Sequence, residues 1–106
     1  ISGPTIITTE GVRSIMPERT AAKVGAPASA QPLLESAGQA SDLSPRLLEA
    51  IAYVESRFRQ NAVSPKGAVG MMQLMPGTAN ELGIDPKDPA QNAHGGGAYL
   101  RAEHLR

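Results

Sequence analysis

Ser44-Pro45-Arg46-Leu47-Leu48-Glu49-Ala50-Ile51-Ala52-Tyr53-Val54-Glu55-Ser56-Arg57 is the stretch on which the reading of this chain turns. Ser44 offers an N-cap oxygen, and Pro45 suits the first helical position, where its missing N–H is no loss. The stretch therefore predicts a helix over Pro45–Arg57. At about 100° per residue, Leu48, Ile51 and Ala52 share one stripe with Leu47 at its edge, while Arg46, Glu49, Tyr53 and Arg57 lie opposite. Glu55 falls within about 20° of Leu48 on that wheel, in the centre of the apolar stripe. A carboxyl group there is either desolvated or faces a cleft that interrupts the core. Desolvation makes such a group resist ionisation, which suits a general acid. Helix geometry leaves a second reading open, in which Glu55 ends the helix, reaches water and pairs with Arg59 at i+4.

Moving outward, Pro32–Ala40 reads as a short helix with Leu33, Leu34 and Ala37 on one side. Residues 1–30 are rich in Ser, Thr, Ala, Gly and Pro without helical period, so they are expected to form a flexible arm or linker, with an extended piece at Thr5–Thr9. On the other side, Asn61, Ser64, Pro65, Gly67 and Gly70 mark an irregular loop or small hairpin over Gln60–Gly70. A short helix over Thr78–Leu82 follows, which Gly83 can close. Asp85–Pro89 is a turn, and Asp88 with Pro89 starts a last helix toward Arg106, weakened by Gly95, Gly96 and Gly97. The fold class is mainly α, with residues 31–106 forming the helical unit.

Composition narrows the function. A chain of 106 residues suits one domain. Lys+Arg and Asp+Glu both number 10, and a net charge of zero argues against nucleic-acid binding. The absence of Cys removes disulfides, thiolate zinc sites and thiol catalysis, and leaves the compartment open. No apolar run approaches the ~18 residues of a membrane span, and no signal peptide is visible. The first residue is Ile rather than Met, as expected of a processed or truncated product. Leu, Ile, Val and Phe total 21, and only Tyr53, Phe58 and Tyr99 are aromatic, which predicts a thin core.

Beyond the helix, several short motifs recur in one order. Glu55-Ser56-x-Phe58 precedes Ala62-Val63-Ser64-Pro65-Lys66-Gly67-Ala68, then Gly70-Met71-Met72-Gln73-Leu74-Met75-Pro76 and Thr78-Ala79. Leu82-Gly83, Asp88-Pro89, Gln91-Asn92 and Gly96-x-x-Tyr99-Leu100 follow. In this order they resemble the SLT-type (soluble) lytic transglycosylases of the goose-type lysozyme superfamily, over roughly Leu33 to Arg106. The resemblance implies a goose-type lysozyme-like α-helical domain with Glu55 as its catalytic acid/base and Ser56 supporting the site. It implies that Met72 and Gln73 line the sugar groove, and Met75 is expected to fill core. Met71 replaces a common Leu, a volume-conserving exchange, and Ala93 replaces a common Ile.

Family members cleave the β-1,4 bond between N-acetylmuramic acid and N-acetylglucosamine in peptidoglycan. Most glycosidases need two carboxylates, but Glu81, Asp85 and Asp88 read as solvated surface groups. In the chemistry the resemblance implies, Glu55 alone protonates the glycosidic oxygen. It then takes the proton of the muramic C6 hydroxyl, which closes a 1,6-anhydro ring. One residue acting as acid and then base needs a pKa near working pH. No metal or organic cofactor enters this scheme. The implied partner is the peptidoglycan glycan strand, and the implied location is the periplasm or bacterial cell envelope.

The family usually continues past the Tyr-Leu helix with an Ala-Tyr-Asn-Ala-Gly-type motif that this sequence lacks. The domain is therefore expected to be C-terminally truncated. Leu47, Ile51 and Leu100 would then be left exposed and available for self-association. A non-catalytic peptidoglycan-binding or scaffold module of a secretion or flagellar system is the alternative reading, and a hydrolytic lysozyme is another. His94-Gly95-Gly96-Gly97 resembles an esterase oxyanion stretch, but no Ser here has Gly at both −2 and +2. His94 and His104 share no helix face, so they form no metal pair and are expected at the surface.

Overall fold

The computed structural model describes residues 25–103; the expected extended piece at Thr5–Thr9 lies outside them. Four helices follow one another: α1 (Gln31–Ser41), α2 (Pro45–Ser56), α3 (Pro76–Leu82) and α4 (Pro89–Glu103). The described residues contain no strand, and the mainly α expectation holds. Each predicted helix is present, with ends differing by a residue or two; the expected continuation of α4 toward Arg106 lies outside the described residues.

Local chemistry accounts for the boundaries. At α2 the Ser44 side chain accepts from Arg46 N at 3.2 Å and Pro45 opens the helix, as the sequence predicts. Asp88 serves α4 in the same way, its Oδ2 accepting from Gln91 N at 2.9 Å. Gly83 closes α3 in the left-handed conformation (φ 71°), with Ile84 N donating to Ala79 O. The first two helices end on left-handed residues that are not glycine, Asp42 (φ 55°) and Arg57 (φ 53°). Arg101 holds the first of these ends: its Nε donates to Ser41 O at 3.0 Å, and its guanidinium pairs with Asp42 at 3.5 Å. Arg101 thus supplies donors to the carbonyls ending α1, which helix geometry leaves without partners.

α4 packs chiefly on α1, and α1 also packs on α2. The close approach of α4 rests on its three glycines. A Cβ on Gly96 would stand 2.8 Å from Cβ and Cγ of Met72; on Gly95 it would meet Ile84, and on Gly97 Ser41. Three glycines weaken a helix by about 1 kcal/mol each, yet α4 runs through them unbroken, because packing against neighbours supplies what propensity does not.

The core joins Leu34 and Ala37 of α1 to Leu48, Ile51 and Ala52 of α2, Ala93 and Leu100 of α4, and Met71, Met72 and Leu74 of the loop between α2 and α3. Two corrections follow. Ile51 and Leu100 are buried and Leu47 is half-buried, so they do not form the exposed face expected for self-association. Ile51 and Leu100 belong to the core cluster, and Leu47 packs against it. In addition, Ala26 and Ala30 are buried in this core, so packing begins before Gln31.

Candidate active site

α2 delivers Glu55 and Ser56 in its last turn. Glu55 is half-buried, at the border of the apolar stripe rather than within the closed core. Of the two sequence alternatives, this places the carboxyl at an edge that solvent or a ligand can reach. Immediately afterwards the backbone turns through two successive left-handed residues, Arg57 and Phe58 (φ 65°), a conformation costing side-chain-bearing residues roughly 1–2 kcal/mol each. The side chains offset this. The Phe58 ring meets Tyr53 at a centroid distance of 5.9 Å, and the Arg57 guanidinium lies 5.1 Å from the Tyr53 ring centre and donates to its hydroxyl at 3.1 Å. Aromatic and cation–π contacts of this kind contribute about 0.5–1.5 kcal/mol each.

Ser56 faces the other way. Its Oγ donates to Met71 O at 2.7 Å and lies 3.2 Å from Ala52 O, and the residue is buried. This bond fastens the acid-bearing end of α2 to the loop. That loop is the irregular segment the sequence predicts, and it takes the form of two minimal hairpins. In the first, Ser64-Pro65-Lys66-Gly67 forms a turn closed by Gly67 N to Ser64 O at 2.9 Å, with Ser64 N donating to Ala68 O. In the second, Gly70–Gln73 is closed by Gln73 N to Gly70 O at 3.1 Å, and Val69 and Leu74 exchange both backbone bonds. Single antiparallel bridges pair Val69 with Val63 and with Leu74.

Gln73 occupies a left-handed position (φ 53°) at the end of the second turn and is buried. Its Nε2 donates to Gly70 O at 2.8 Å and Ala62 O at 3.2 Å, so the amide braces both hairpins. Met72 is fully buried against Gly96, whereas Met75 is half-buried. The exposures of the two methionines are thus the reverse of those expected. Met72 falls inward because the α4 glycines open a slot for it, while Met75 precedes α3 at the surface.

Sequence reasoning placed no role on Asn92, which organises this region. It is fully buried on α4, and its side chain makes three of the four hydrogen bonds open to it, with both amide hydrogens used. Oδ1 accepts from Met72 N at 2.8 Å, and Nδ2 donates to Val69 O and Pro86 O, both at 2.9 Å. Gly70 makes room for it: a Cβ there would stand 2.2 Å from Asn92 Nδ2. An Asn on the buried side of a helix is the clue available in sequence, since such a group must find partners. Ser56 and Asn92 therefore grip the same turn from α2 and α4.

The remaining acids are occupied elsewhere. Asp85 accepts from Lys87 N, Asp88 caps α4, and Glu81 is exposed. Burial pushes the Glu49 carboxyl above its usual 4.5; Arg46 opposes the shift and Glu35 adds to it. His94 is half-buried, with its Nε2 3.0 Å from Ser36 Oγ in an exposed setting. Among the described residues no group of three His, Cys, Asp or Glu could hold a metal ion.

A helix ending in a half-buried Glu, tied to a braced double hairpin and covered by a glycine-notched helix, defines a lysozyme-like α-helical domain. The family model "Transglycosylase SLT domain" matches residues 32–105, and the chain belongs to that family. It is 43% identical over 75 residues to a membrane-bound lytic murein transglycosylase F from Alcanivorax borkumensis, an alignment of 70% of this chain and 16% of that protein. Over 71 residues it is 45% identical to a transglycosylase of Enterobacteria phage PRD1, covering 63% of this chain and 27% of the phage protein. A solved structure of the lytic transglycosylase Slt from Pseudomonas aeruginosa, an inactive Glu-to-Gln mutant, superposes with a TM-score of 0.64 at 26% identity. That match covers 88% of this chain and 17% of the Slt chain. The chain thus spans about one sixth of the length of the bacterial relatives it matches.

Proposed function

We propose that this chain carries the acid/base site of a peptidoglycan lytic transglycosylase. Its target is the β-1,4 bond between N-acetylmuramic acid and N-acetylglucosamine. The observation that carries the reading is the position of Glu55: half-buried at the end of α2, with its neighbour Ser56 locked to Met71 O. The family membership and the murein transglycosylase names of its relatives support the substrate class. The Pseudomonas enzyme, inactive as a Glu-to-Gln mutant, supports a decisive glutamate.

In this reading protonated Glu55 donates to the glycosidic oxygen as the C1–O bond breaks and positive charge develops at C1. The carboxylate so formed accepts the proton of the muramic C6 hydroxyl. The hydroxyl oxygen bonds to C1, the 1,6-anhydro ring closes, and Glu55 returns to its starting state without consuming water. Ser56, Gln73 and the buried Met72 act as positioning residues by fixing the turn beside the acid. The work belongs in the bacterial cell envelope, in agreement with relatives named membrane-bound, and more narrowly in the periplasm.

The test is a digest of purified peptidoglycan by this chain and by Glu55→Gln, read by mass spectrometry. Anhydro-muropeptides absent from the variant digest are expected. Reducing, hydrated products would replace the reading with a lysozyme-type hydrolase. No product from the folded chain would mean either that activity needs more of the domain than these 106 residues, or that the chain is a non-catalytic peptidoglycan-binding or scaffold module of a secretion or flagellar system, and a longer chain tested in the same way separates the two.

A further inference from the structure

α2 stops where nothing in its own sequence requires a stop. Arg57-Phe58-Arg59-Gln60 contains no Gly or Pro, and Arg and Gln are good helix formers. On a continued helix Phe58 would fall within about 20° of Ile51, on the apolar stripe. The chain nevertheless leaves the helix after Ser56 through two consecutive left-handed residues, Arg57 (φ 53°) and Phe58 (φ 65°). α1 and α3 each close on one such residue of a tolerant type, Asp42 and Gly83. The end of α2 is thus imposed from outside its local preferences.

Tyr53, one turn back, touches both strained residues. Its ring lies 5.9 Å from that of Phe58 and 5.1 Å from the Arg57 guanidinium, and its hydroxyl accepts from Arg57 Nη1 at 3.1 Å. No step of the acid/base chemistry uses Tyr53. The elbow it holds bears directly on Glu55. Arg57 N and Phe58 N turn back onto Tyr53 O and Ala52 O at 2.9 and 3.4 Å, and Arg59 N onto Ser56 O at 3.1 Å, which closes the last turn around the acid. The same change of direction lets Ala62 O reach Gly70 N and Gln73 Nε2, and Met71 O reach Ser56 Oγ. A helix continued through Arg59 would carry the chain along the α2 axis and break these bonds.

We propose that Tyr53 is a positioning residue of the acid/base site. It holds the Arg57-Phe58 elbow in a conformation that both residues resist, and the elbow sets where the Glu55 carboxyl stands relative to the hairpins. Strain kept in place by surrounding contacts is one form of pre-organisation. The proposal rests on the acid/base reading of Glu55 and adds what fixes that residue in place.

The test compares the 106-residue chain with Tyr53→Leu, Arg57→Ala and the double variant Tyr53→Leu/Arg57→Gly. Initial rates of anhydro-product release from solubilised glycan strands give kcat and KM. NMR gives the strong intraresidue HN–Hα contact that marks a positive φ, together with the Glu55 carboxyl carbon resonance. Tyr53→Leu should lose that contact at Arg57, shift the Glu55 resonance and lower kcat about tenfold or more with KM little changed. Arg57→Ala, a change at an exposed side chain that leaves the core intact, should do the same to a smaller degree. Glycine adopts the left-handed conformation without a clamp, so the double variant should regain the positive φ, the Glu55 resonance and most of kcat although no contact is restored. A Tyr53 that served only stability or touched substrate would not be rescued in this way. Unchanged φ and kcat in both single variants, or a loss in Tyr53→Leu that glycine does not reverse, would overturn the proposal. Failure of the transglycosylase reading looks different: the unsubstituted chain releases no anhydro products, and the φ contact and the Glu55 resonance across the same four chains still decide whether Tyr53 places the carboxyl.

Discussion

Replacing Asn92 with Ala tests the central structural claim, that a single buried amide on α4 holds the turn beside the candidate acid. The largest loss is at Met72 N, whose bond to Oδ1 is 2.8 Å long in a fully buried residue. An orphaned buried donor costs about 1–3 kcal/mol. Val69 O keeps its bond from Leu74 N, and Pro86 is half-buried and within reach of water, so each carbonyl adds about 0.5–1 kcal/mol. The sum is about 3 kcal/mol, a large share of the 5–15 kcal/mol that holds a domain of this size. At about 4–8 °C per kcal/mol, thermal denaturation followed by circular dichroism should show Tm lower by roughly 12 °C or more. Hydrogen exchange at the Met72 amide should accelerate more than exchange in α1. Asn92→Asp keeps an acceptor for Met72 N but sets a second oxygen against two carbonyls. Its carboxyl should be held above the usual range, so this variant gains stability as pH falls and the acid form can donate one bond. A Tm change below about 4 °C in Asn92→Ala, with the Met72 amide still protected, would refute the reasoning.

Three further outcomes follow from the same geometry. Gly96→Ala should destabilise by about 1–2 kcal/mol despite the better helix propensity of Ala, because the new Cβ would stand 2.8 Å from Cβ and Cγ of Met72, atoms near its backbone that cannot swing away as its end methyl can; a denaturant midpoint checks this. Ser56→Ala should cost about 1–2 kcal/mol by freeing Met71 O, and should lower the yield of anhydro products more than Asn92-independent surface changes do, measured by chemical denaturation and digestion in parallel. Burial holds the Glu49 carboxyl above 4.5, so the folded state binds its proton more tightly than the unfolded chain does. Its stability contribution is therefore greatest at acid pH and is lost as pH rises through the folded value. Glu49→Gln should accordingly raise Tm at neutral pH, with the gain fading below pH 4.5, as read by melting across a pH series.

Most of the secondary structure is legible without coordinates because its determinants are local. Ser44-Pro45 and Asp88-Pro89 announce helix starts by supplying an acceptor and removing a useless donor, and Gly83 announces a stop by tolerating positive φ. The same local logic put Glu55 on the apolar side of α2. It could not decide between a buried and an edge position, because that depends on what the loop after Phe58 does. Arg57 and Phe58, neither of them a usual left-handed residue, turn the chain there with help from Tyr53.

The amino-acid sequence by itself determined the helical class, the family and the candidate acid, since periodicity, caps and ordered motifs are properties of neighbouring residues. Only the tertiary structure decided the rest. Gly96 opens a slot into which Met72 falls, so Met72 is buried and Met75 lies nearer the surface. Asn92, twenty residues from Met72, satisfies that residue's backbone and holds the turn. Val63, Val69 and Lys87 meet around a hollow that their spacing does not announce. These features depend on which distant groups share a volume, and a buried hydrogen bond or a filled slot exists only once the helices have packed.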